Sequence, residues 1–126
     1  MQGAFGNCYF CATLAAVAER SERIQALFAD KKANLAGCYL INFYVNGVKT
    51  AIMVDDWLPA HNGALLYGRS KAKGEIWVSL IEKAWAKLHG TYQRCYAGWP
   101  VHVCDTLLGV YSRERANKDH SEQEWW

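Results

Sequence analysis

The chain is 126 residues long, 52% hydrophobic and 21% charged, with a formal net charge of +2. That length and apolar share suit one globular domain that buries roughly two thirds of its unfolded surface. The weak positive balance, with no dense Lys/Arg run, argues against a polyanion-binding surface, so neither nucleic acid nor a membrane is an expected partner.

No apolar run approaches the ~20 residues that span a bilayer, and no charged leader with a small-residue cleavage site opens the chain, so a soluble, cytoplasmic protein is expected. Cys8, Cys11, Cys38, Cys95 and Cys104 form an odd set without the regular spacing of a secreted scaffold, which fits reduced thiols. All but Cys8 are read as small buried apolar residues.

From Cys8 to about Phe28, Phe10, Leu14, Val17, Ile24 and Leu27 recur at helical spacing with alanines between them, which predicts a helix. Its first half is apolar nearly all round, the pattern of a core helix, and Asn7 stands where an N-cap belongs. Tyr39–Val45 and Val48–Val54 are β-branched and aromatic runs joined by Asn46-Gly47, which predicts a hairpin with a type I′ turn. Asp55-Asp56 and Leu58-Pro59 end the second strand, His61-Asn62-Gly63 reads as the next turn, and Leu65–Tyr67 as a further short strand.

Glu75–His89 is the second predicted helix. Trp77, Leu80, Ile81, Ala84, Trp85 and Leu88 form its core face, Glu82, Lys83 and Lys87 its solvent side, and Gly90 its stop. Beyond Tyr92 the pattern loosens around Gly98-Trp99-Pro100, and Ser112 to Glu124 is a charge-dense tail.

The chemistry concentrates at Gln2-Gly-Ala-Phe-Gly-Asn-Cys8-Tyr9. A cysteine in the first helical turn meets the positive end of the helix dipole and several unpaired N–H groups, which favour its thiolate. Across the glycine-bearing turn, Gln2 can offer its side-chain amide, and Cys8 its backbone N–H, to the oxyanion that forms when the thiolate attacks a carbonyl. The plainer alternative is a Gly-rich turn entering a helix with a buried cysteine.

Gln2–Tyr9 resembles the Gln-Gly-x-x-Gly-Asp-Cys-Trp segment that opens the protease core of calpains, papain-like cysteine endopeptidases, with Asn7 in place of Asp and Tyr9 in place of Trp. Val54-Asp55-Asp56-Trp57-Leu58-Pro59 is similar to the family's Val-Asp-Asp-x-Leu-Pro strand end, and Gly63–Tyr67 to its Gly-x-Leu-Leu-Phe. The segment Glu75–Tyr92 resembles the family's Glu-Phe-Trp-x-x-Leu-Leu-Glu-Lys-Ala-Tyr-Ala-Lys helix. Asp105–Gly109 only loosely echoes Asp-x-Thr-Gly-Gly.

The resemblance implies an α+β fold, the first half of a papain-like core, over residues 1–111, with residues 112–126 as a charged and truncated tail. It implies that Cys8 and Gln2 are catalytic and that protein substrates are cut in a limited way. The family's Gly-His-Ala and Asn-Pro-Trp-Gly segments, which bring the base and its orienting asparagine on a second subdomain, do not occur in this sequence. A cysteine nucleophile needs that base, so this chain is expected to be a fragment that lacks its partner subdomain and turns over poorly. Of its histidines, His61 falls in a turn, His89 at a helix end, His102 in the loose stretch and His120 in the tail. None has the family context, and His102 as a replacement base is the weaker reading beside a merely exposed histidine.

The resemblance also implies calcium. Glu75 matches a glutamate that supplies carboxylate oxygens, but the family's aspartate partner precedes the glutamine motif, so at best a partial site is expected for an ion that takes six to eight oxygens. The competing reading of Glu75 is a favourable acid in a first helical turn. No organic cofactor is expected. Asp55 and Asp56 point to opposite strand faces and so cannot share a substrate atom. Two other functions compete. One is a catalytically silent calpain-like regulatory or interaction module. The other is a redox or zinc protein built on Cys8-Tyr9-Phe10-Cys11, which lacks both a βαβ unit and a second Cys-x-x-Cys.

Overall fold

The structure, a computed structural model, describes residues 6–72 and 74–111, so Gln2, His120 and the charged tail lie outside it. Helix α1 spans Cys8–Ala18 and buries Phe10, Thr13, Leu14 and Val17 along one stripe. Ala12, Ala15 and Ala16 face solvent, so α1 is not the all-round core helix expected. Methyl side chains support the helix by propensity without adding much area to bury.

The single helix expected to run to Phe28 is two. The backbone turns extended at Arg20 (φ −114°, ψ 105°) and re-enters a helix, α2, at Ser21–Leu27. The break redirects Ile24 and Leu27 into the core, and Phe28 then bridges Ile41 while the Ala29 N–H donates to the Leu40 carbonyl over 3.0 Å.

Strands β1 (Cys38–Val45) and β2 (Val48–Asp55) pair antiparallel from Cys38↔Asp55 to Val45↔Val48. Asn46 and Gly47 take the positive φ angles, 50° and 78°, that a type I′ turn demands. A smaller ladder, β3 (Ala60–His61) with β4 (Ala64–Leu65), closes through Asn62-Gly63, so the expected strand at Leu65–Tyr67 begins and ends earlier.

Helix α3 spans Trp77–His89, two residues shorter at its start than expected, and stops at Gly90 with φ 97°. It packs across β2 and β1, whereas α4 (Pro100–Leu108) packs on β1 and α1. Only an irregular stretch is expected there from the sequence. Its helical signals are nonetheless present: Pro100 in the first turn, a left-handed cap at Gly109, and Val103 and Leu107 buried one turn apart. Between α3 and α4 lies a short 3-10 turn, Gln93–Cys95.

The core is aromatic at its centre. Trp85 lies 5.2 Å from the Phe10 ring and 6.2 Å, edge-on, from Phe43, pairings worth about 0.5–1.5 kcal/mol beyond area burial. Ile41, Ile81 and Val103 are fully buried around them. The architecture is the expected α+β half of a papain-like core, with helices against a small antiparallel sheet.

Candidate active site

Cys8 is the first residue of α1 and is exposed. Its neighbour Asn7 starts the helix through its backbone, whose carbonyl accepts N–H bonds from Phe10 at 3.0 Å and Cys11 at 3.1 Å. The Asn7 side chain makes no cap bond. The cap expected from the sequence is therefore supplied by the carbonyl alone, and the side-chain amide goes elsewhere.

That amide donates to Glu82 Oε1 on α3, and the other carboxylate oxygen accepts the Gly68 N–H at 2.7 Å. Ser79, one turn before Glu82, donates its hydroxyl to the Gly68 carbonyl at 2.8 Å. Glu82 is 2% exposed, so its placement on the solvent side of the helix was wrong. Apolar periodicity assigns a lone charge to water by default. The missed signal is that Ser79, Glu82 and Ala86, all buried, sit at i, i+3 and i+7 and form a second inward stripe.

Burial pushes the Glu82 carboxyl above the ordinary range, and the bonds from Asn7 and Gly68 oppose that rise. The Cys11 thiol, 3.6 Å from Asn7 Oδ1, is pushed up to about 11 by its own burial and then by the Glu82 charge. Cys95 is likewise raised to about 11 by burial and then by Glu82.

Tyr9 is anchored on the other side of Cys8. Its hydroxyl donates to the Cys95 carbonyl at 3.1 Å and accepts from Trp85 Nε1 at 3.3 Å, and burial raises its pKa. The Gly98 backbone passes so close that an added Cβ would lie 2.7 Å from the Tyr9 ring. A segment expected to be irregular thus packs directly beside the first turn of α1.

The other expected residues are more dispersed. Cys38 is exposed and Cys11 and Cys104 are half-buried, so only Cys95 behaves as the buried apolar thiol expected of all four. Trp85 is a core residue, but Trp77 is half-buried and turns its indole N–H to Glu75. Asp55 accepts the Trp57 N–H at 2.9 Å, which caps the turn that ends β2, and also binds Lys83.

Exposed His61 lies in β3, His89 Nδ1 pairs with the Trp85 carbonyl at 2.9 Å, and His102 sits exposed on α4. Among the described residues no hydrogen bond joins Cys8 to a histidine. Glu75 Oε2 accepts from the Ser70 hydroxyl at 2.5 Å and from Trp77 Nε1 at 3.1 Å, and these bonds hold its carboxyl below the ordinary range. Among the described residues no group of three or more His, Cys, Asp or Glu side chains is placed to share a metal ion. A cavity of about 500 Å³ between Ile24, Phe28, Tyr39, Ile76, Trp77 and Leu80 does not include Cys8. Among the described residues no helix is long and apolar enough to cross a membrane.

The family profile described as "Calpain family cysteine protease" matches residues 1–126. The calpain-type cysteine protease DEK1 of Zea mays is 38% identical over 114 residues, 90% of this chain and 5% of that protein. Calpain-B of Drosophila melanogaster is 34% identical over 111 residues, 86% of the chain and 12% of its own length. Calpain-5 of Mus musculus is 38% identical over 116 residues, 85% and 18% respectively. The chain therefore spans a minor part of each of these relatives.

Proposed function

The chain belongs to the calpain family of cysteine proteases, and from that premise we propose that it is the nucleophile half of a cysteine endopeptidase that cuts cytosolic proteins at limited sites. The observation that carries this reading is Cys8, an exposed thiol at the first residue of α1, in a turn tied to the body of the domain through Asn7.

In this reading the Cys8 thiolate attacks the scissile carbonyl carbon. The backbone N–H of Cys8 and the Gln2 amide hold the resulting oxyanion, and the amine leaves once a general acid protonates it. The acid and base come from a histidine on a second subdomain. The 126-residue chain alone then alkylates at Cys8 without turning over a peptide. Glu75 contributes its carboxylate to a partial calcium site, and no step passes through that ion.

Iodoacetamide labelling of the purified chain at neutral pH, followed by peptide mass analysis, tests the reading. Cys8 should react ahead of the other four cysteines. Labelling of Cys8 no faster than that of exposed Cys38 would overturn it in favour of a catalytically silent module.

A further inference from the structure

Glu82 is the one buried carboxylate among the described residues, and both of its oxygens are engaged. Burying an ionisable group is costly unless its bonds serve a purpose that an apolar side chain could not fill. Here one donor is the side chain of Asn7, 75 positions away and adjacent to Cys8.

An asparagine before a helix ordinarily folds its side chain back onto the second or third helical N–H. Asn7 does not. It sends its Nδ2 to α3 and leaves its Oδ1 facing the Cys11 thiol, so its side chain serves a tether between elements instead of the helix end. The first helical N–H groups have no intrahelical acceptor, which makes this turn prone to fray unless it is held.

We propose that Glu82 is a positioning residue for Cys8: through Asn7 it fixes the first turn of α1 to α3 and to the Gly68 segment, and so holds the thiol and backbone N–H of Cys8 in one orientation. This deepens the nucleophile reading of Cys8 and rests on it. Cys11 on α1, Cys95 in the 3-10 turn and Tyr92 beside it are each raised first by their own burial and then by the Glu82 charge. The ionisable neighbours of the tether are thereby kept in their neutral, hydrogen-bonding forms.

The test is the ratio of iodoacetamide labelling rates, Cys8 to Cys38, in the full chain, with Cys95 as an internal report of an intact core. Glu82→Met keeps the side-chain length and removes the acceptor, and Asn7→Ala removes the donor. Each should lower the ratio about fivefold, the size of a lost helix-start anchor. The double variant should lose no more than the larger single loss, because both act on one bond. Glu82→Gln should stay within about twofold of wild type, since its Oε1 can still accept from Gly68 and its Nε2 can donate to a turned Asn7 amide.

An unchanged ratio in either single variant with Cys95 still protected, or losses that multiply in the double variant, overturns the proposal. If Glu82→Met exposes Cys95, Asn7→Ala decides alone, because it leaves the Glu82–Gly68 bond in place. A wild-type ratio at or below one sinks the nucleophile reading, whereas the change in ratio across the variants still decides the tether.

Discussion

The Lys83 ammonium lies 2.6 Å from Asp55 Oδ1 and, from the same nitrogen, 3.2 Å from the Asp55 carbonyl and 2.7 Å from that of Trp57. One side chain of α3 thus closes the end of β2. The Asp55 carboxyl is held below its ordinary range by the bond from Lys83 first and the Trp57 N–H second. A depressed carboxyl stabilises the fold above its unfolded pKa, near 3.9, and loses that contribution as pH falls through the lower folded value. Lys83→Met should therefore lower the melting temperature by a few degrees at pH 7, with the gap to wild type narrowing as pH falls below about 3.9. A gap that persists undiminished in acid would show that Lys83 acts through packing of its stem.

Why the hairpin and α3 were legible while the site's support was not follows from the kind of signal each carries. Asn46-Gly47 and the Trp77–Leu88 face are local patterns, fixed by turn geometry and helical period. The Asn7–Glu82 bond joins positions 75 apart, and nothing near either residue announces the other. Likewise the bend at Arg20 is dictated by where Ile24 and Leu27 must go to meet the sheet, since the residues around it would support a continuing helix. A helix opening at Cys8 was legible in the sequence, and α1 begins there. Its tether through Glu82, and the Tyr9–Gly98 packing beside it, became visible only in three dimensions.

Glu82 makes the opposite pH prediction from Asp55. Its carboxyl is raised by burial, so the folded chain binds the proton more tightly than the unfolded chain does. The fold is then favoured most below the ordinary glutamate range of about 4.3, loses stability as pH climbs toward the folded value, and levels off above it. Glu82→Gln has no proton to lose. Its melting temperature relative to wild type should rise between pH 4 and neutrality in a differential scanning fluorimetry series, and a decline over that interval would mean that the bonds outweigh burial. Glu82→Met should instead be destabilised by about 2–4 kcal/mol at neutral pH, because two buried donors lose their acceptor.

Gly98 and Gly6 differ in what a methyl group would strike. At Gly98 the obstacle is the Tyr9 ring, 2.7 Å from an added Cβ and pinned by the Cys95 carbonyl and the Trp85 indole. At Gly6 it is Tyr96, 2.8 Å away on a ring that is 64% exposed. Gly98→Ala should cost about 1–3 kcal/mol, an overpacking penalty, because the Tyr9 ring is held on both sides. Urea denaturation of this variant measures the cost, and a loss well below about 1 kcal/mol would mean that Tyr9 is freer than its bonds suggest.

The thiols should also separate by pH. Cys11 and Cys95 are each raised to about 11, first by burial and then by the Glu82 charge. Against a free thiol near 8.5, such a shift leaves on the order of 100-fold less thiolate at neutral pH. Both should therefore resist iodoacetamide at pH 7.5 even in long incubations, while Cys38 is consumed. Because the folded chain holds these protons more tightly than the unfolded chain, stability should decline as pH rises from about 8.5 toward 11. Cys95→Ala should flatten part of that decline, and a wild-type melting temperature that stays level across the interval would show that neither thiol is raised by the fold.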